Sequence, residues 1–146
     1  MPTTRRSRVL AAGPDAIWDA IADPHHLPRW WPRVERVENV GADSWTTVMR
    51  SPKGRAVRAD FRLLETRCPS LRRFEQVLED TPFARLMTEA VTEITLDGQL
   101  DRGTEVTIET AQRLRGMARF GVVMFRRATR RTLDEALDGL EHACGT

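Results

Sequence analysis

Residues 104–142 read TEVTIETAQRLRGMARFGVVMFRRATRRTLDEALDGLEH, and within them one periodicity gives way to another. From Thr104 to Leu114, Val106 and Ile108 fall on one face while Glu105 and Glu109 fall on the other. That is the alternation of a strand with one buried and one wet face. Gly116 interrupts it. From residue 117 to about 142 the apolar positions recur at helical spacing: Val122, Phe125, Thr129, Leu133, Ala136, Leu137 and Leu140 share one stripe, assigned to a sheet. A helix of about 26 residues is about 39 Å long. Met117, Phe120, Met124 and Ala128 make a second stripe, confined to the first half; farther on, Arg131 and Glu135 take the same angle. The second stripe has three readings: deeper burial in the core, the wall or gate of a ligand cavity lined by adaptable methionines, or a dimer or membrane contact.

The chain upstream supplies the sheet. Residues 5–11 read as a first strand, and Gly13-Pro14-Asp15 opens a short amphipathic helix to about Ala22. Asp23 is the expected N-cap of a second short helical segment, which Pro32 stops. Residues 33–40 alternate imperfectly, as a bulged strand would. Residues 45–50 and 55–67 flank a hairpin turn at Ser51-Pro52-Lys53-Gly54, and strands follow at 71–79, 86–97 and 104–114. In the longest early strand Val57, Ala59, Phe61 and Leu63 face inward and Arg58, Asp60 and Arg62 outward. A register slip of one residue would bring those three charges to the cavity instead. The expectation is an α+β fold: a curved seven-stranded antiparallel sheet, two short helices and one long C-terminal helix, in one domain spanning 1–146.

Composition narrows the chemistry. Among the 146 residues, 40% are apolar and 30% charged, with a net charge of +2. The arginine bias, against the single lysine Lys53, does not by itself imply nucleic acid, whose binders concentrate positive charge on one face. The apolar patch after the first arginines is too short for a signal peptide, so a cytoplasmic location is expected. Cys68 and Cys144 are then expected as free thiols. Adjacent helical residues such as His25 and His26 diverge by about 100°, so they do not suit one metal, and a solvated surface is expected for the pair. No Gly-rich phosphate loop, G-x-S-x-G or H-E-x-x-H motif occurs, and no Ser/His/Asp set can be proposed from spacing. No metal or cofactor is expected, and catalytic residues stay unassigned.

The segment PDAIWDAIADPHHLPRWWPRVERVENVG, residues 14–41, resembles the start of the polyketide cyclase/dehydrase and lipid-transport family, within the START-like, Bet v 1-like superfamily. The resemblance rests on Pro14 before a Trp-bearing helix, Ala22-Asp23-Pro24, the tryptophan pair before Pro32 and the valine-rich strand after it. Gly103-Thr104-Glu105-Val106 is similar to the family's Gly-Thr-x-Val strand start, and RRTLDEALDGLE to its closing helix. The resemblance implies a helix-grip fold with a hydrophobic cavity between sheet and long helix. It does not imply one reaction, since the family includes aromatic cyclases, lipid and quinone carriers and binding modules.

The candidate cavity residues are Trp30, Trp31, Phe61, Phe74, Gln76, Ile94, Ile108, Thr110, Met117, Phe120 and Met124. Trp30 and Trp31 cannot share one helix face; both pack in the core, or one reaches the cavity rim. Trp18 reads as core, and Trp45 fits either place. Gln76 and Thr110 are the candidate polar groups inside, because Phe74, Leu78 and Ile108 share their parity. Arg113, Arg115, Arg119, Arg126, Arg127, Arg130 and Arg131 cluster around the last helix. They are expected as a solvated face with Arg130–Asp134 and Arg131–Glu135 pairs, or as a transient contact with anionic lipid headgroups. The expected partner is a small hydrophobic ligand such as a lipid, isoprenoid or polyketide, with no nucleic acid and with monomer and homodimer both open. Three functions follow: a carrier or binding protein, a polyketide aromatase/cyclase, or an interaction module.

Overall fold

The computed structural model describes residues 3–99, 101–116 and 119–145, the side chains of Arg119 and Phe120 excepted. Strand β1 (Thr3–Leu10) leads into helix α1 (Pro14–Ala22), a 3₁₀ turn (Pro24–His26) and the single-turn helix α2 (Leu27–Trp30). Six strands follow: β2 (Val34–Glu38), β3 (Ser44–Arg50), β4 (Ala56–Arg67), β5 (Leu71–Val77), β6 (Met87–Gln99) and β7 (Gly103–Leu114). Helix α3 (Arg119–Cys144) closes the chain. The strands form one antiparallel sheet in the order β1-β7-β6-β5-β4-β3-β2. Consecutive strands from β2 to β7 are neighbours, so short turns suffice. β1 and β2 lie at opposite edges, and α1 and α2 bridge them. This is the expected α+β helix-grip arrangement. The described part of α3 starts at Arg119 and runs two residues past the expected end; a 3₁₀ turn at Pro82–Arg85, not expected from the periodicity, precedes β6. Among the described residues, no helix is long and apolar enough to cross a membrane.

Three register shifts, at Val34/Arg36, Leu63/Glu65 and Met87/Glu89, insert bulges into β2, β4 and β6. Bulges bend a strand and increase its twist, which suits a sheet curling around a helix. The outward face carries charge pairs directly across the ladder. Arg5 opposes and bonds Glu109 (2.8 Å), Arg62 bonds Glu75, and Glu65 receives Arg73 across the ladder and Arg67 from its own strand. Arg58 bonds Glu38, and Asp60 accepts from the Thr46 hydroxyl at 2.6 Å. Arg58, Asp60 and Arg62 are therefore on the outer face, in the register read from the alternation.

The inner face of β1 holds α3 by ion pairs. Arg6 grips Asp134 with two bonds of 2.7 and 3.1 Å, and Arg8 bonds Asp138. The expected Arg130–Asp134 pair gives way to Arg6. An arginine N-terminal to its acid is the weaker helical orientation, and a two-pronged guanidinium from a fixed strand outcompetes it. The Arg131–Glu135 pair is present at 3.6 Å.

The packed core lies where α1, α2 and the second half of α3 meet the sheet. Ile17, Ile21, Leu133, Ala136, Leu137 and Leu140 are buried there against Leu10, Val106 and Ile108. Gly139 lets α3 approach α2 closely, since a Cβ there would stand 2.2 Å from the Trp30 carbonyl oxygen. Asp23 caps the 3₁₀ turn by accepting the His25 N–H at 3.0 Å. That bond holds the Asp23 carboxyl below the ordinary carboxylate range, with the neighbouring histidines adding to the effect and partial burial opposing it. Folding lowers this pKa, so the contribution is complete above the unfolded value of about 3.9 and disappears as the pH falls through the folded one. Asp23→Ala is expected to cost about 1 kcal/mol near neutral pH. Asp23→Asn should keep most of that stability and flatten the loss below about pH 4. Urea denaturation at several pH values checks both, and an unchanged midpoint for the alanine variant would refute the capping role.

Candidate functional site

The concave sheet and the stretch of α3 from Phe125 to Leu133 flank a partly open cavity of about 310 Å³. Its floor begins at a sharp boundary. Ile94 and Ile108 sit opposite each other on β6 and β7 and are sealed in the core at 1% and 0% exposure. The next inward-facing pair, Thr92 and Thr110, lines the cavity, and the pair after that, Ala90 and Gln112, lines it too. Each pair is about 7 Å farther along the strands. Leu27, Trp31 and Val34 wall one side, Trp45, Met49, Phe61 and Phe74 the sheet, and Phe125, Ala128 and Leu133 the helix.

Aromatic contacts fix the sheet wall. Trp45 and Phe61 stack with centroids 5.8 Å apart and planes 11° off parallel, and Phe74 meets both edge-on at 5.4 and 5.8 Å. Such contacts hold flat surfaces in place better than aliphatic packing does. Thr47, Gln76, Thr129 and Thr132 complete the polar lining with Thr92, Thr110 and Gln112. Most of these groups have partners in the protein. Thr129 Oγ1 donates to Phe125 O (3.0 Å) and lies 3.3 Å from Gln112 Oε1; Thr92 and Thr110 hydroxyls are 3.5 Å apart; Thr132 donates to Ala128 O at 3.1 Å. Gln76 differs, because its Nε2 is buried with no hydrogen-bond partner.

Residues 1–145 match the pattern of the family described as polyketide cyclase / dehydrase and lipid transport. The chain belongs to that family. The family pointed to by residues 14–41 and 103–106 is thus the one that the whole chain matches. Solved structures share the fold across nearly all of the chain. XoxI from Bacillus cereus is 16% identical, with 98% of this chain and 95% of that one aligned at a TM-score of 0.77. A Thermus thermophilus protein is 20% identical, with 98% and 97% aligned at 0.74. The di-domain ARO/CYC BexL, of the BE-7585A biosynthetic pathway, is 13% identical, with 98% of this chain and 48% of BexL aligned at 0.75. No curated protein matches the chain.

For a member of a family that joins cyclases and lipid carriers, the charge inside the cavity is informative. None of the described lining residues is titratable. The buried Arg72, 7% exposed, holds its guanidinium 5.4 Å from the Trp45 ring centroid, outside the lining. Burial lowers its pKa from the ordinary arginine value and Asp23 partly offsets this; it remains a cation, as arginines do in proteins. Arg33, on the surface, reaches the Thr132 hydroxyl at 3.3 Å. The His25–Asp23 contact of 2.8 Å belongs to the capped turn, and neither residue lines the cavity.

Of the residues singled out in the sequence, the structure brings Trp31, Phe61, Phe74, Gln76 and Thr110 together at the cavity. Trp30, 3% exposed, turns into the core and meets Trp31 edge-on at 5.4 Å. Ile94 and Ile108 also lie in the core, one step below the cavity floor. Met124 is 48% exposed and Val123 52%, on the outer side of α3 and away from the lining. Met117 lies outside the described residues, as does the side chain of Phe120. Thr92 and Gln112 were legible as neighbours of Ile94 and Thr110 at the same parity. Phe125, Thr129 and Leu133 were legible only as the sheet-facing stripe of α3, since periodicity does not reveal where helix and sheet separate.

Proposed function

We propose that this protein binds and carries a small, mainly apolar molecule in the cavity between α3 and the sheet. The observation that carries the reading is the lining itself: aromatic and aliphatic walls, a few neutral polar groups and no titratable side chain among the described residues. A volume of about 310 Å³ lies at the lower end of the usual range for small-molecule sites. The family's other activity, cyclisation and dehydration of a polyketide, needs groups that move protons. Hydroxyls and amides without an adjacent acid or base serve that chemistry poorly, which favours carriage over catalysis.

The test is uptake of the uncharged dye N-phenylnaphthylamine, followed by energy transfer from Trp31 and Trp45, together with native mass spectrometry of freshly purified protein. Saturable one-to-one binding is expected, with the dye displaced by whatever lipid-like molecule solvent extraction recovers. Absence of saturable uptake would sink the carrier reading, and turnover of a polyketide chain by the pure protein would replace it with the cyclase.

A further inference from the structure

Gln76 stands out among the polar groups of the cavity. It extends from the inward face of β5, directly across from Phe61 on β4 and two residues beyond Phe74. The side chain therefore lines the cavity beside the aromatic wall. Its Nε2 is buried and unpartnered, whereas Thr92, Thr110, Thr129 and Thr132 hydroxyls are engaged with protein atoms. Trp30 Nε1 is the other buried donor in this condition among the described residues, but Trp30 lies outside the lining. An unmet buried donor is costly, so a molecule that satisfies it gains more than an apolar isostere does.

Charge restricts that molecule further. A buried anion needs a cation or several donors around it. Within the described lining there is no cation; Arg72 is committed to the Trp45 face, and Arg33 is exposed at the rim beside Thr132. From this geometry we infer that Gln76 is a specificity-determining residue, its amide turning about the last side-chain bond to donate Nε2–H to a carbonyl, ether or hydroxyl oxygen of an uncharged, flat, largely apolar ligand, and that ionised carboxylates and phosphates are rejected. The inference rests on the cavity being the binding site, and it names what the site selects. Neutral ketones, quinones and phenol ethers have this chemistry; fatty-acid anions do not.

Three matched probes separate the possibilities by isothermal titration calorimetry at pH 7: acetylnaphthalene, its hydrocarbon analogue isopropenylnaphthalene, and naphthoate. The protein is expected to bind the ketone about tenfold tighter than the hydrocarbon, the usual scale of one buried hydrogen bond. Naphthoate is expected to bind at least about tenfold weaker than the ketone. Gln76→Leu, with Gln76→Met as a second variant, should erase the preference for the ketone over the hydrocarbon and raise the melting temperature by a few degrees as the unmet donor disappears. Equal affinity for ketone and hydrocarbon, or a preference that survives in both variants, would overturn the role of Gln76 while leaving the cavity as the site. Naphthoate binding as tightly as the ketone would overturn the selection for uncharged ligands. Failure of all three probes to bind would overturn the cavity reading and the inference with it.

Discussion

Gly103→Ala is expected to cost about 3 kcal/mol or more of folding stability, because two penalties fall on one methyl group. Gly103 begins β7 with φ of +92°, a conformation that L side chains rarely adopt. A Cβ there would also stand 1.9 Å from the Leu10 carbonyl oxygen and 3.0 Å from Ala11 Cα, and backbone cannot step aside as a side-chain tip can. The next residue shows what the close approach secures. Thr104 is fully buried, and its hydroxyl donates to Ala12 O at 2.8 Å, tying the end of β1 and the run into α1 to the start of β7. Moving β1 away to admit a methyl would therefore disturb both bonds and packing. In a chain of this size the loss should lower the melting temperature by about 10 °C. Guanidinium denaturation followed by circular dichroism measures it, and a loss under about 1 kcal/mol would show that this junction yields.

The second large effect is on binding. Ala90→Trp should reduce uptake of N-phenylnaphthylamine at least about a hundredfold while leaving the fold intact. Ala90 faces the cavity opposite Gln112, at the level where sheet and helix stand apart rather than in the packed core. An indole added there occupies space that holds no other side chain, so little strain is expected, but it consumes much of about 310 Å³. A binding constant within about threefold of the parent would remove the cavity as the binding place. A variant that fails to melt cooperatively would show instead that the wall at Ala90 is tighter than the cavity implies.

Much of this architecture was legible because strand and helix periods report which way a side chain points. The outward placement of Arg58, Asp60 and Arg62, the inward placement of Phe61, Phe74 and Gln76, and the apolar stripe of α3 all follow from counting by two or by three and four. The Asp23 cap followed from local chemistry, which needs no distant partner. Ile94 and Thr92 show the limit. They have the same parity on the same strand, yet one is sealed at 1% exposure and the other lines a cavity. Met124 shows it on the helix, where an apolar residue at a plausible angle stands 48% exposed.

The sequence by itself determined the order of elements, the inward and outward sides of most strands and the family, because those depend on residue type and on spacing within one segment. The tertiary structure alone decided how far along the strands the helix stays in contact. That depends on Gly139 drawing α3 against Trp30, on Gly103 drawing β1 against β7 and on Arg6 taking Asp134, contacts between segments up to 128 residues apart. Where that contact ends, between the Ile94–Ile108 and Thr92–Thr110 pairs, core becomes cavity, and no single segment encodes the height of that line.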